Sequence, residues 1–221
     1  MADRRSISAQ QRATLLAAPA FVTAALGVGH PGQLDTATAP RWLTVHLVLL
    51  FATPLLALAP IAVCRHAATT TPNRAGLGWV AVLSGAIFGI CYATLDVLAG
   101  IATGQLVSKN LATDERSPAV LAMQQIAAPF GTAGAAALVC CVLVASYAAW
   151  QTVGEAAISG SLLAVAGAWG LGEYHVYWPH GVVALLCLGL GQWLLAARIL
   201  EGLQPLVLAE EAGGPRRSSA G

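Results

Sequence analysis

The chain has 221 residues, 57% hydrophobic and only 10% charged, with a mean hydropathy of +0.71. Soluble domains carry about 25% charged residues, so too little polar surface is available here to face water, and the composition reads as a polytopic membrane protein. The net charge of +1 excludes a bulk electrostatic pull toward nucleic acid.

A membrane-spanning helix needs about 20 mostly apolar residues. Six candidate spans follow in chain order. The first runs from Thr14 to Gly29 and contains Pro19, which a membrane helix tolerates. Arg4 and Arg5 precede it, as in a signal peptide, but no clear small-residue cleavage site follows, and a retained helix is expected. The second span runs from Leu43 to Val63, with Trp42 just outside it. The third runs from Leu77 to Thr103, and the fourth, long enough to tilt, from Val120 to Trp150. The fifth, from Ala156 to Leu171, is short, and the sixth runs from Gly181 to Ala197. The expected fold is thus an all-α, multi-pass transmembrane bundle. Residues 1–203 form its single domain, and the polar, Gly/Ser-rich residues 204–221 form a disordered cytoplasmic tail.

Orientation follows from the basic residues. With the N-terminus cytoplasmic, Arg4, Arg5, Arg12, Arg65, Arg74, Arg198, Arg216 and Arg217 lie inside, against Arg41, Lys109 and Arg116 outside. Both termini are therefore expected in the cytoplasm of a cell whose inner membrane holds the bundle. Trp42, Trp169 and Trp178 then fall at the outer interface and Trp79 and Trp150 at the inner one, where indole rings belong. The cysteines, Cys64, Cys91, Cys140, Cys141 and Cys187, show no CxxC spacing and read as buried, reduced thiols.

On this topology four of the five histidines share the outer side: His30, His46, His175 and His180. Asp96 lies within the third span, roughly 10 Å below its outer end at 1.5 Å per residue. An ionised aspartate there costs roughly 2.5 to 3.5 kcal/mol on insertion scales, so it is expected to face the bundle interior. Gly85, Gly89, Tyr92, Asp96, Gly100 and Thr103 recur at helical spacing and mark that interior stripe. Gln124 and Gln125 lie near the outer part of the fourth span, and Glu173 opens the last outer loop, GEYHVYWPHG.

Imidazoles and carboxylates converging on one side suit a divalent transition metal such as zinc, copper, iron or nickel. The expected ligands are His46, His175 and His180, with Asp96 as ligand or orienting group and Glu173 as a catalytic carboxylate. The spacing of His175 and His180 is not that of a zinc-binding helix, where histidines stand four apart. The alternative cofactor is haem b, held by His46 with His180 or His175. Without a cofactor, Asp96 suits proton-linked work on an apolar or lipid-soluble substrate, with Glu173 and His46 assisting, and Tyr92, Trp169, Tyr174, Tyr177 and Trp178 are candidates to line its pocket. An accessory subunit with a merely hydrogen-bonded polar end is the remaining reading. His30 reads as an exposed loop start. The expected partners are membrane lipid and such a substrate.

Overall fold

The structure, a computed structural model, describes residues 7–70 and 75–201. The charges at Arg4, Arg5, Arg74, Arg216 and Arg217 and the tail from 204 onward lie outside the described residues. Helix α1 (Ala9–Val28) starts before the apolar run because Ser8 and Gln11 form a reciprocal capping box. Helix α2 (Ala39–Ala52) passes through a 3-10 turn (Thr53–Ala57) into α3 (Leu58–Thr70). Prolines explain that local tightening: Pro54 opens the turn, and Pro60 has no N–H for the carbonyl of Leu56. The Gln192 side chain donates to that carbonyl instead, at 2.8 Å, which ties the last helix, α8 (His180–Glu201), to the break.

Helix α4 (Ala75–Leu95) continues through a π-helical stretch (Asp96–Ala102) into α5 (Thr103–Ser108). Helix α6 (Pro118–Val153) is 36 residues, about 54 Å long at 1.5 Å per residue. That exceeds the roughly 30 Å hydrocarbon thickness, so α6 tilts or projects. Gly154 then reverses the chain at φ +60, and α7 (Ile158–Tyr174) returns along α6, with Gly172 against Ala135. Helix α8 (His180–Glu201) completes the bundle.

The expected all-helical class is the one found. Among the described residues, 5 helices are long and apolar enough to cross a membrane. The longest, Pro118–Tyr174, is the α6–α7 hairpin, so it accounts for two of the six expected spans.

Packing follows the small residues. Cβ atoms on Gly167 or Gly191 would collide with the backbone of the facing helix, so α7 and α8 lie backbone to backbone. Large side chains such as Phe51, Leu83, Ile90 and Leu162 point outward, as a lipid-facing surface requires. Trp79, Trp150, Trp169 and Trp178 are exposed as expected, whereas Trp42 is not an interfacial ring: it is 4% exposed, inside α2. The reason is a specific bond, its indole N–H donating to the carbonyl of Gly100 at 3.0 Å. Of the cysteines, Cys64 and Cys141 are buried; Cys91 and Cys187 are half-buried and Cys140 exposed.

At one end of the bundle the 29–38 and 109–117 loops meet. Glu115 N–H donates to the carbonyl of Leu34 at 2.9 Å, and Leu34 N–H returns a bond to the Glu115 carboxylate at 3.2 Å. A second small core of Leu34, Ala39, Trp42, Val107, Ala112 and Val120 lies beneath them. This end carries the polar cluster.

Candidate metal centre

His46, Asp96 and His175 converge, each offering a ligand atom within 4.8 Å of the other two. Helix α2 contributes the first, the opening of the π-helical stretch the second, and the end of α7 the third. They line a cavity of ≈ 390 Å³ together with Trp42, Tyr92, Leu95, Gln124, Leu171 and Tyr177. That size lies within the range of small-molecule sites.

His46 is 3% exposed, and its Nδ1 lies 2.9 Å from the carbonyl of Trp42. A carbonyl only accepts, so Nδ1 carries the proton and Nε2 presents a bare lone pair. This is how metal-binding imidazoles are commonly oriented. The ring fits because residue 100 is glycine: a Cβ there would overlap the His46 imidazole.

Asp96 is 1% exposed, and its Oδ1 has no hydrogen-bond partner. Its Oδ2 lies 3.3 Å from the Thr53 hydroxyl, but that hydroxyl also lies 2.8 Å from the carbonyl of Leu49. One hydroxyl proton cannot serve both, and the shorter bond has the better claim. Among the described residues the only ion pair is Arg198–Glu201, so no Lys or Arg compensates Asp96. A buried carboxyl in that condition requires a proton or a cation.

His175 ends α7 with φ 50 and ψ −140, a conformation that favours glycine. The strained residue turns its ring among Tyr92, at 5.8 Å between centroids, and Tyr177, at 5.6 Å. It is half-buried because it borders the cavity. Burial, reinforced by His46 and His30, lowers its pKa to about 3. Burial also raises the Tyr177 phenol to about 12, keeping it a hydrogen-bond donor.

His180 and Glu173, both expected in the site, stand outside this group. Glu173 lies on the exposed side of the last turn of α7, because that helix runs on to Tyr174. His180 starts α8, is exposed, and packs on Tyr174 at 5.0 Å. Gln124 lines the cavity while Gln125 faces away. Of the aromatic candidates, buried Tyr92 and partly exposed Tyr177 line it, whereas Trp169, Tyr174 and Trp178 do not.

His30 is the residue that sequence reasoning undervalued. It is 8% exposed, not a solvated loop start, because aromatic rings enclose it. Its ring meets Trp42, His46 and Tyr177 at 4.8, 4.9 and 4.7 Å. Burial lowers its pKa; the bond to Pro31 opposes this and the charge of Arg41 adds to it.

These depressed values fix the sign of an acid effect in metal-free protein. Below pH 6.5 the unfolded histidine binds a proton that folded His175 refuses, so stability present above 6.5 is lost as pH falls toward about 3. The limiting slope is about 1.4 kcal/mol per pH unit for this one group. Melting temperatures of chelator-treated protein between pH 7.5 and 4.5 should fall accordingly. A His175→Asn variant, whose side chain tolerates positive φ, should flatten the dependence; an unchanged slope would exclude His175 as its source.

No family model, curated protein or solved structure matches the chain, so what the site does is argued from its own donors and cavity.

Proposed function

We propose that the protein is a metal-dependent membrane enzyme. In this reading His46, Asp96 and His175 bind one divalent transition ion on the extracytoplasmic side of the cell inner membrane. The observation that carries it is the uncompensated Asp96 carboxyl, placed with two imidazoles whose ligand atoms all lie within 4.8 Å. Ligands 2.0–2.1 Å from a tetrahedral ion stand about 3.3 Å apart, so binding draws the set together by about 1.5 Å at most. Two imidazoles and one carboxylate leave positions open, as catalytic zinc and non-haem iron sites do. An ion held there supplies Lewis acidity and activates water.

The residues around the set suit an apolar substrate with a polar reacting group. Leu95 and Leu171 offer apolar wall, while Gln124 and the protonated Tyr177 offer hydrogen bonds. Sidedness rests on the excess of arginine at the opposite end. Haem is the less favoured cofactor: Asp96 stands within 4.8 Å of both imidazoles, where a macrocycle between them would have to lie.

Elemental analysis and an absorption spectrum of detergent-purified protein test the proposal. About one equivalent of zinc, iron, copper or nickel is expected, without a Soret band, and His46→Ala or His175→Ala should reduce occupancy at least tenfold. A protein that neither carries nor takes up a stoichiometric ion would overturn it, and a Soret band would replace it with the haem reading.

A further inference from the structure

We infer that His30 supplies a third imidazole to this centre, making the protein donors His30, His46, His175 and Asp96. The inference rests on the metal reading above and extends it to a residue outside the compact three-residue set.

Three observations carry it. The first is the tautomer. His30 Nδ1 lies 2.7 Å from the carbonyl of Pro31, which can only accept, so Nδ1 bears the proton. His46 is oriented in the same way by the carbonyl of Trp42. Both rings therefore direct their lone pair through Nε2, an arrangement typical of imidazoles fixed for metal binding.

The second is the orphaned atom. His30 Nε2 is buried and has no hydrogen-bond partner, in a side chain only 8% exposed. A lone pair withdrawn from water and left unpaired is destabilising. A ligated cation would remove that cost, as it would for the unpartnered Asp96 Oδ1.

The third is the spacing. Two imidazoles on one ion, with metal–nitrogen bonds of 2.0–2.1 Å, place their ring centres about 5 Å apart. The His30 and His46 centroids are 4.9 Å apart, with planes at 77°. Tyr177, which lines the cavity, also packs edge-on against His30, at 4.7 Å. His30 thus contacts both a metal-binding ring and a cavity wall. With four protein donors, the ion keeps a place for water or substrate only by taking a fifth ligand.

The test uses the full-length chain in detergent with Zn²⁺ alone as the probe. Affinity is read by competition with a chromophoric chelator, and the number of bound imidazoles by X-ray absorption at the zinc edge. Unaltered protein should bind one Zn²⁺ through three imidazoles. His30→Ala should retain the ion with two imidazoles and bind it 10- to 100-fold more weakly. Two imidazoles in the unaltered protein, or unchanged affinity in His30→Ala, would overturn the role of His30 while leaving the three-residue centre intact. Absence of stoichiometric Zn²⁺, or insensitivity to His46→Ala, would instead overturn the metal reading itself. Because the imidazole count is made on unaltered protein, misfolding of a variant does not decide the outcome.

Discussion

Asp96→Asn is expected to abolish metal binding and, at the same time, to make the metal-free protein more stable. The two effects have one origin. Asp96 is 1% exposed, with one oxygen unpartnered and the other sharing a hydroxyl already bonded to Leu49. If ionised, the carboxylate lacks both water and a counter-charge. If protonated, it still leaves buried hydrogen-bonding capacity unused. An amide of the same shape removes the charged form and supplies N–H donors. The expected gain is about 1–2 kcal/mol, the scale of an intramembrane charge and of an unpaired buried group. Loss of the anionic donor should weaken metal affinity at least 100-fold. The measurement is a pair of melting curves with and without Zn²⁺. Unaltered protein should melt lower without the ion and rise on adding it, by the linkage of ligand binding to stability. The Asn variant should melt higher without the ion and not respond to it. If Asp96 is instead a structural hydrogen-bonding residue, the variant melts lower and keeps its response, and the metal reading loses its central residue.

The architecture was legible because membrane folding leaves few options. Long apolar runs must be helical, and their polar interruptions must be loops or interior positions. The stripe through Gly85, Tyr92, Asp96, Gly100 and Thr103 identified the inner face of its helix, and all five are buried. Gly89 is half-buried, packed against Pro54. Of the three converging residues, Asp96 and His46 followed from depth within a span. His175 was expected only together with His180: the two occupy the same short loop, and periodicity cannot rank them. The choice depends on where α7 stops and on the positive φ of His175, a conformation paid for by tertiary contacts rather than announced by residue type. His30 was less legible still. Its burial comes from Trp42 and His46 on α2 and from Tyr177, far away in the chain. Nothing in GHPGQ carries those contacts. Trp42 shows the same limit, since an interfacial indole and one bonded to Gly100 look alike in sequence.

The role of Gly100 leads to the second large effect. Gly100→Ala adds one methyl group, removes no donor and, on helix propensity alone, would stabilise a helix by about 1 kcal/mol. It should nonetheless weaken metal binding at least tenfold, the loss expected of His46→Ala, because the new Cβ overlaps the His46 ring. That ring has little room to retreat. Its Nδ1 is bonded to Trp42, its face stacks on the Trp42 indole at 4.8 Å, and the indole is itself anchored to the carbonyl of residue 100. Relief therefore requires either rotating the imidazole off the centre or moving α2 away from the π-helical stretch, and either separates His46 from Asp96. Overpacking of this kind costs about 1–3 kcal/mol in ordinary cores, so the melting temperature should fall as well. Gly76→Ala, on the same continuous helical rod but with open space around its Cβ position, is the matched control and should leave affinity unchanged. Zinc titration of the two variants decides the matter. Equal, undiminished affinity in both would mean that His46 does not reach the ion from the position Gly100 makes for it, and the centre would have to be assembled without α2.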